Sequence, residues 1–522
     1  MNIFELNKCM KHRMLEGTLW KNSTMFYASI VLSFIVISLP SISYGSDPTN
    51  ISNLNQCVTY KADVNLIQIF CESAYLTDVA KQLNDTSILG RENQISVKND
   101  SNGDRLNNTD NSNKIWILNA GIEIEKGAAL IIDSSDTSWL KMVATPTLQL
   151  KPNMTQNITT DQTSDSDDNT VVVSKNNRNN PNGIHVRGSL KIDGVRVTSW
   201  DPETNDVVKF KIGKRTGEEH TKTDYDTAEP RPFIRVSSQA TGTTNITNSE
   251  IAYLGYSCSR CSGISYYGGE RSVIKGNNIH HLLKGFYSKG MGEMTIEGNQ
   301  FHDNHLYGID PHTGSHDIVI RKNIVYNNNA SGIICSKDCH HLLIEDNEVY
   351  SNTGAGRGIS FSINTTNSVA RNNNVYEHPR CIGFNRESNF NQVYNNTISN
   401  CKTGVYVSDT TNNLIRGNKI VNVSSGIVLK DINNQIEDNN ISGTKSGIVF
   451  IREPNSNITN SKNATETYSQ DKNDQSEIAL GEMTDINHIS ETEKPSVIKT
   501  TKVNDTEPEN LDNTTLDAGE LS

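Results

Sequence analysis

The sequence predicts an all-β protein whose main body is a right-handed parallel β-helix, a solenoid with coils of about 21–26 residues. Two repeated markers and one absence predict it. A glycine followed by Ile, Phe or Val recurs nine times, an Asn-x-aliphatic or Asn-x-Phe motif recurs eight times out of phase with it, and helical spacing is missing. Two markers that keep a nearly fixed phase over so many coils are typical of a repeat architecture.

The glycine marker falls at Gly263, Gly285, Gly308, Gly332, Gly358, Gly383, Gly404, Gly426 and Gly447. The asparagine marker falls at Asn277, Asn299, Asn323, Asn347, Asn373, Asn396, Asn418 and Asn439. We expect these asparagines to stack at one turn and to form hydrogen bonds with the next coil. A leucine-rich repeat has a similar period, but the leucines and the helical half of that repeat are missing.

Composition and charge agree with a narrow core and limit the possible partners. Hydrophobic residues make up only 34% of the 522 residues and aromatic residues 6%, which suits short strands joined by tight turns. The formal net charge of −12 argues against a nucleic-acid partner, which would need a basic surface. A site for an anionic polymer must therefore be locally basic.

The order of segments predicts an exported protein. Residues 1–45 contain a basic region, an apolar run and small residues, and form either a signal peptide or a membrane anchor. We expect a secreted, periplasmic or cell-surface location, with membrane contact only if this segment is not cleaved. Residues 46–113 are predicted to be a capping or linking region, and 114–453 the solenoid, with disordered insertions at about 153–182 and 213–229. Residues 454–522 are predicted to be a disordered polar tail, and several Asn-x-Ser/Thr sites suggest a glycoprotein.

Export favours disulfides over free thiols for the cysteines. Pairing by neighbours predicts Cys57 with Cys71, Cys258 with Cys261, Cys335 with Cys339, and Cys381 with Cys401. Zinc bound by the second and third pairs is the alternative, but no histidine completes a usual zinc spacing. We expect no dedicated metal site and no cofactor.

Side-chain alternation along each strand predicts which residues face outward. If the glycine is position zero and the residue at +1 points into the core, then +2 and +4 point outward. The residues at −1 are polar, so we expect the glycine to mark a bend that turns them outward too. The resulting groove is predicted to hold Tyr287 and Asp310 at +2, Lys289 and His312 at +4, and Lys284, Tyr307 and Arg357 at −1. Lys337 joins the column of His312 only if its coil is shifted by one residue; Arg386, placed one step before +4, and His305 complete the predicted substrate-binding set.

The groove suits a polymer that carries regular carboxylates. Nine coils spaced by about 4.8 Å give a groove on the order of 40 Å long, enough for several sugar units. In a polyuronate, the accessible reaction is removal of the proton at C5, beside the carboxylate. A cation must neutralise that carboxylate and a base of near-neutral pKa must take the proton, and we expect Lys337 and His312 in these roles. The simpler alternative is that these are ordinary solvated residues on one face of a solenoid.

The segment Tyr307-Gly-Ile-Asp-Pro-His312, followed by Ser315 and His316, resembles the signature of the mannuronan C5-epimerases of the parallel β-helix class. Similar stretches include 122–128, 136–141, 196–200, 231–235 and 284–287, so the resemblance covers about residues 115–450. It implies that His312 is the base, that Asp310 is an essential acidic neighbour, and that Tyr307 forms a wall or handles a proton. The calcium-binding nonapeptides of the family's secreted modular members are missing from the sequence.

The resemblance leaves several points open. Where the family member most similar in pattern has an arginine that neutralises the carboxylate, this chain has Lys337, which keeps the charge but loses the bidentate grip. Tyr307, Arg357 or a bound water could act as the general acid. Epimerisation of mannuronate to guluronate in an exported polysaccharide is the main hypothesis. A lyase with the same base and cation, and a non-catalytic glycan-binding β-helix, are the alternatives.

Overall fold

The structure is a computed structural model. It describes residues 56–93, 114–144, 182–209, 230–258, 260–352, 356–430, 433–451, 497–499 and 502–504. All of these belong to one compact unit, Asn55–Ser522. The predicted leader at 1–45 lies outside the described residues.

The described chain consists of short strands and one short helix. The N-terminal part contains β1 (Val58–Lys61), β2 (Leu66–Ile69), β3 (Ala74–Tyr75), α1 (Leu76–Leu83) and β4 (Leu89–Arg91). The following coils contain β5 (Ile115–Leu118), β6 (Gly121–Ile124), β7 (Ala129–Asp133), β8 (Trp139–Val143), β9 (Ile184–Val186), β10 (Ser189–Asp193), β11 (Arg196–Trp200), β12 (Ile234–Val236), β13 (Thr244–Thr247), β14 (Glu250–Ala252), β15 (Gly263–Tyr266), β16 (Val273–Lys275), β17 (Asn278–His280), β18 (Lys284–Lys289), β19 (Met294–Glu297), β20 (Gln300–His302), β21 (Ile309–His312), β22 (Ile318–Arg321), β23 (Ile324–Tyr326) and β24 (Ile333–Cys335). The remaining strands are β25 (Leu343–Glu345), β26 (Glu348–Tyr350), β27 (Arg357–Ser362), β28 (Val369–Arg371), β29 (Asn374–Tyr376), β30 (Arg380–Asn385), β31 (Gln392–Tyr394), β32 (Thr397–Ser399), β33 (Thr403–Ser408), β34 (Leu414–Arg416), β35 (Lys419–Leu429), β36 (Gln435–Glu437), β37 (Asn440–Phe450), β38 (Val497–Lys499) and β39 (Lys502–Asn504).

These strands stack into a parallel β-helix of about 11 turns, as predicted. Each coil contributes one strand to each of three parallel sheets. The groove sheet runs through β6, β9, β12, β15, β18, β21, β24, β27, β30 and β33. The second sheet runs through β8, β11, β14, β17, β20, β23, β26, β29 and β32, and the third from β3 and β7 to β36 and β38. The strands β35 and β37 are long enough to belong to both the groove sheet and the second sheet.

The core is a narrow column of inward-facing aliphatic and aromatic side chains. In the groove sheet, Ile184, Ile234, Ile264, Phe286, Ile309, Ile333, Ile359, Ile382 and Val405 are fully buried. One or two large apolar residues per strand fill the space between the three sheets, which explains how a chain with so few hydrophobic residues folds. The low hydrophobic content of the sequence is therefore a property of this fold.

The predicted asparagine ladder is confirmed along its whole length. From Asn299 to Asn439, the side-chain Oδ1 of each marker asparagine accepts a hydrogen bond from the backbone N–H of the marker in the preceding coil, at 2.9–3.0 Å. The side-chain amide of Asn277 also donates to the Ile246 carbonyl oxygen, and the other markers repeat this pattern. The ladder thus satisfies buried backbone groups at a turn where no strand partner exists.

A second ladder runs at the turns that lead from the second sheet into the groove sheet. It joins Asn304, Asn328 and Asn352 in the same way and ends at His378, whose Nε2 lies 3.1 Å from the Asn352 Nδ2. His378 is buried, and burial lowers the pKa of its imidazole to about 4. The sequence analysis did not identify this ladder.

Three of the four predicted disulfides are present: Cys57–Cys71, Cys258–Cys261 and Cys381–Cys401. The predicted Cys335–Cys339 disulfide is wrong, because both residues are buried free cysteines. Each thiol is buried in the core beneath the groove sheet, and burial raises the pKa of Cys335 well above its usual range.

The structure describes only some of the segments whose boundaries were predicted. Within the region 46–113, β2 and β3 already pair with coil strands, while its role as a cap stays a prediction. The predicted insertions at 153–182 and 213–229 lie outside the described residues, apart from the buried Asn182. The prediction that the tail lacks regular structure is wrong for β38 and β39, which extend two of the sheets.

The described segments contain no helix long and apolar enough to cross a membrane.

Candidate active site

The candidate site forms where the glycine column lets the backbones of successive coils approach each other. A Cβ atom on Gly308 would lie 2.5 Å from Val325 Cγ1 and 2.7 Å from the Gly332 carbonyl oxygen, so only glycine fits there. The backbone bends at this column, and the residue before the glycine faces the same side as the residue two positions after it. Lys284, which precedes Gly285, accordingly reaches Asp310 on the next coil. The predicted outward direction of position −1 is confirmed for this residue.

The strand register places the predicted residues in two columns. Tyr287 of β18 pairs with Asp310 of β21, and Lys289 pairs with His312. The predicted column of Lys289 and His312 is therefore confirmed. Parallel strands lie about 4.8 Å apart, so these side chains are neighbours along the solenoid axis.

Asp310 is the most deeply buried group of the site. Its carboxylate has no solvent exposure, although its side chain is on the groove side of the strand. The Lys284 Nζ donates to its Oδ2 at 2.8 Å, and the Ser336 hydroxyl donates to its Oδ1 at 2.6 Å. These two donors come from the coils on either side, so the carboxylate is held from both directions. Ser336 was not among the predicted site residues.

His312 is a half-buried imidazole beside this ion pair. Its Nδ1 lies 2.6 Å from the Thr313 Oγ1, and its ring centroid lies 5.4 Å from that of Tyr287. Burial lowers the pKa of His312, and the ammonium groups of Lys284, Lys289 and Lys337 lower it further, while the Asp310 carboxylate opposes them. The imidazole is therefore neutral near pH 7, which is the form that can accept a proton.

Two tyrosines lie beside Lys284. Its Nζ is 4.3 Å from the ring centroid of Tyr287 and 5.4 Å from that of Tyr307. Burial raises the pKa of the Tyr287 phenol, so this group stays protonated near neutral pH. The structure thus brings Tyr287, Tyr307, Asp310 and His312 together around one cation.

The one-residue shift that would place Lys337 in the column of His312 is wrong. Ile309 pairs with Ile333, and the Ser336 backbone N–H donates to the Pro311 carbonyl oxygen at 3.0 Å. This register puts Ser336 beside His312 and Lys337 one residue further, at the turn. The Lys337 side chain is half exposed, and its Nζ lies 3.9 Å from the Asp338 carboxylate. Its role as carboxylate neutraliser stays a prediction.

A cluster of cations lies on the later coils of the groove. Arg357 pairs with Arg380 across adjacent strands, and the Arg380 guanidinium lies 3.8 Å from the Tyr406 ring centroid. Burial and the neighbouring Arg380 charge lower the pKa of Arg357, whose Nη1 donates to the Ser360 hydroxyl at 3.1 Å. Sequence reasoning identified Arg357 but missed Arg380.

Arg380 was missed because the sequence analysis took Gly383 as the marker of its coil, and this assignment is wrong. Gly383 pairs with Ser360 and Tyr406, so it lies at position +2 and does not start its coil. Cys381, which forms a disulfide with Cys401, occupies position zero. Arg386 consequently lies in the turn after the strand, exposed and with a φ of 51°, and not one step before +4. Counting from Cys381 would have placed Arg380 at −1.

The earlier coils of the groove also carry arginines that the sequence analysis missed. Arg235 and His185 are at position +2 of β12 and β9, and the Arg235 Nη2 lies 2.6 Å from the His185 Nδ1. Arg260 lies 5.5 Å from the ring centroid of Tyr267. The same +2 position that identifies Tyr287 would have identified Arg235, had the ladder been followed to earlier coils. Arginine side chains therefore lie in the groove on both sides of His312, together with the Glu123 carboxylate at position +2 of β6, although the protein is acidic overall.

The remaining predicted residue, His305, lies outside the groove columns. It is in the turn that precedes Tyr307 and lines a cavity with Tyr253, His281 and Asp303. Within the described ranges, no three His, Cys, Asp or Glu side chains are grouped so that they could hold a metal ion.

Two protein families match parts of the chain. The profile of the right-handed β-helix region matches residues 234–389, and that of the periplasmic copper-binding protein NosD matches residues 364–477. The first match agrees with the solenoid and with the predicted right-handed turn. Neither covers half of the chain.

Individual proteins show a more specific similarity to this chain than the two family profiles do. A mannuronan C5-epimerase of Pseudomonas putida is 26% identical over 249 residues, which are 45% of this chain and 40% of that protein. A mannuronan C5-epimerase of Pseudomonas fluorescens is 29% identical over 145 residues, 25% of this chain and 24% of that protein. The predicted resemblance to the mannuronan C5-epimerases is confirmed. The chain matches less than half the length of these relatives.

A solved structure with the same architecture is the crystal structure of the periplasmic alginate epimerase AlgG. It covers 74% of this chain and 82% of its own, with a TM-score of 0.54 and 19% sequence identity. At this identity the similarity supports the fold. The identity of the site residues depends on the geometry described above.

Proposed function

We propose that the protein is an exported C5-epimerase that converts mannuronate to guluronate, or inverts a related uronate, within an anionic polysaccharide. The observation that carries this proposal is the half-buried His312 imidazole next to the buried Lys284–Asp310 pair and in register with Lys289, in a groove that also contains arginines. The similarity to mannuronan C5-epimerases supports the same reaction class. The periplasmic proteins among the matches support export.

The reaction begins with removal of the proton at C5 of one sugar unit. Because the Nδ1 of His312 contacts the Thr313 hydroxyl, we assign its Nε2 as the atom that accepts the proton. The C–H bond breaks, and its electron pair passes into the adjacent carboxylate, which becomes an enolate-like dianion. A cation close to that carboxylate lowers the barrier by stabilising the added charge. We assign this task to Lys337, with Lys289 and Arg357 binding the carboxylates of neighbouring units.

The outcome depends on where the next proton comes from. Delivery of a proton to C5 from the opposite face of the ring inverts the centre, and we assign this step to the Tyr307 phenol. The phenolate then regains a proton from solvent, and the proton on His312 returns to solvent, so atoms and charges balance over the cycle. Expulsion of the O4 substituent would instead cleave the chain with an unsaturated end, which is the lyase alternative.

The test is proton NMR of polymannuronate incubated with the protein in heavy water, combined with ultraviolet absorbance for unsaturated ends. We expect deuterium at C5, new guluronate signals and constant absorbance. Rising absorbance would assign the protein as a lyase. Binding without exchange on this polymer or on other polyuronates would identify a glycan-binding β-helix.

Variants separate the proposed roles. His312→Gln should abolish exchange, and Lys337→Ala should reduce it by about 100-fold or more, as expected for losing a charge that stabilises the intermediate. Tyr307→Phe should retain deuterium exchange at C5 but lose inversion, because His312 can return a deuteron to the same face. Tyr287→Phe also removes a phenol beside Lys284 and is therefore the matched control for Tyr307→Phe. A fully active Lys337→Ala protein would remove Lys337 from the mechanism.

A further inference from the structure

A cavity of about 310 Å³ lies beside the groove sheet, at the turns that lead into it from the second sheet. Six polar side chains line it: Lys209, Arg231, Tyr253, His281, Asp303 and His305, together with Leu282. Its volume is at the lower end of the range of pockets that bind small molecules, enough for about one sugar unit. None of these residues lies in the groove columns, and His305 is the one that was predicted to bind substrate.

The floor of the cavity contains a fixed guanidinium group. Arg231 is only 1% exposed, and it donates to the carbonyl oxygens of Gly255 at 2.8 Å, Leu254 at 3.1 Å and Val208 at 3.4 Å. Burial lowers its pKa to about 9, so the group still carries its charge at neutral pH. These bonds hold Arg231 in one position and give the cavity a positive floor.

The walls combine an aromatic surface with groups of both charges. The ring of Tyr253 stacks on that of His281, with centroids 4.8 Å apart and an angle of 25° between the planes. Lys209 is a largely exposed ammonium group at the rim, paired with Asp206 at 3.1 Å. Asp303 adds one carboxylate that is partly exposed.

This combination suits one class of ligand. The cations match a carboxylate, the Asp303 oxygens can accept hydrogen bonds from hydroxyl groups, and an aromatic surface packs against the C–H face of a sugar ring. We propose that the cavity is a binding site for a single uronate unit, separate from the groove columns.

The cavity is close enough to the groove to bind a unit of a polymer that also occupies the groove. Leu282 and His305 of the cavity precede Lys284 and Tyr307 of the groove by two residues each, a span of at most about 7 Å. Two linked sites raise the affinity for a long chain without any new contact. Binding of a free uronate does not depend on the proposed function, whereas this second role in polymer binding rests on it.

The experiment measures binding of D-mannuronate, with neutral D-mannose as the comparison, by saturation-transfer NMR and calorimetry on the full chain. The cavity variants are Lys209→Glu, which changes an exposed side chain, and His281→Asn, which suits the positive φ of 56° at this position. The groove variant is Lys289→Glu, and Lys275→Glu on the third sheet is the control. Equal melting temperatures establish that each variant is folded.

We expect D-mannuronate to bind and each cavity variant to weaken binding about ten-fold, Lys209→Glu because a charge-assisted contact is lost and His281→Asn because part of the aromatic surface is lost. Lys275→Glu should leave binding of the monomer unchanged, and Lys289→Glu should weaken it less than either cavity variant. Loss of binding in Lys289→Glu alone, equal binding of D-mannose, or no binding to the unmodified protein would each overturn the proposal.

Polymer turnover separates this proposal from the proposed function. If both hold, the cavity variants raise KM for long polymannuronate and leave kcat and the KM for trimannuronate unchanged. If no polymer is turned over but the cavity variants still weaken monomer binding, the epimerase proposal fails and the binding site stands.

Discussion

The Lys284 ammonium and the Asp310 carboxylate form a buried ion pair, with Nζ and Oδ2 2.8 Å apart, between two successive coils of the groove sheet. The carboxylate has no solvent exposure and the lysine side chain very little. Each buried charge is therefore stabilised by the other. Because the pair joins two coils beside His312, it affects both the stability of the solenoid and the position of this imidazole.

Replacing Lys284 by methionine should destabilise the protein strongly. The substitution leaves a buried carboxylate without its cation, which costs about 3–5 kcal/mol of unfolding free energy. Asp310→Asn in the same chain should recover much of this loss, because no buried charge remains, yet it should not restore turnover. Urea denaturation of the single and double variants measures the effect. Equal stability of Lys284→Met and the unmodified protein would show that the pair is not coupled to folding.

The acidic side of the pH–rate profile should report the pKa of His312. Because burial and nearby ammonium groups lower this pKa, half-maximal kcat/KM should lie below pH 6.5. Lys289→Gln removes one of those charges, so the pKa should rise and the limb should move to higher pH. Lys275→Gln, on the third sheet, is the matched control. A limb that moves to lower pH in Lys289→Gln would contradict the assignment of His312 as the base.

The asparagine ladder should contribute far more to stability than exposed asparagines on the same turn. Asn373 is buried and bonds to Asn347, Asn396 and the Ile344 carbonyl oxygen, whereas its neighbour Asn374 is exposed. Asn373→Ala leaves several buried backbone and amide groups unpaired, at about 1–3 kcal/mol each. Asn374→Ala should change the free energy of unfolding by less than about 0.5 kcal/mol. Thermal and urea unfolding of the two variants compare them directly, and similar losses would contradict a ladder-specific contribution.

His378 should make stability depend on pH below 6.5. Its pKa is about 4 in the folded protein, so between these values the unfolded chain binds a proton that the folded chain does not. Stability is therefore complete above pH 6.5 and falls as the pH decreases toward 4, by a total on the order of 3 kcal/mol. His378→Asn keeps a hydrogen-bond acceptor for Asn352 and removes this dependence. Unfolding free energies at pH 7 and pH 4.5 measure it, read as the difference between the two proteins because His185 acts in the same direction. Parallel pH dependence in both would show that His378 is not the group responsible.

The sequence predicted the coil period, the asparagine ladder and the pairing of Lys289 with His312, because all three depend on regular spacing. It could not predict that Asp310 is buried, since alternation gives the direction of a side chain but not what covers it. Here Lys284 and Ser336 from neighbouring coils cover it.

The errors have local physical causes. Gly383 has the sequence of a coil marker, although Cys381 occupies position zero. The predicted position of Arg386 was therefore wrong, and Arg380 was not identified as a groove residue. The thiols of Cys335 and Cys339 lie in the apolar core, where sequence proximity alone does not imply a bond. The tail strands β38 and β39 follow a long gap in the repeat, so periodicity gave no reason to expect them.

The ladder gives the coils between Asn277 and Asn439 the same hydrogen bonds to the coil before and after them. Adding or removing one complete coil, such as the stretch from Cys381 to Thr403, would therefore leave each remaining asparagine with an equivalent neighbour. Under the proposed function, the length of bound polymer would therefore change in whole steps through duplication or loss of a single repeat, while the residues around His312 stay as they are. Bound length would in this sense be a modular property of the scaffold.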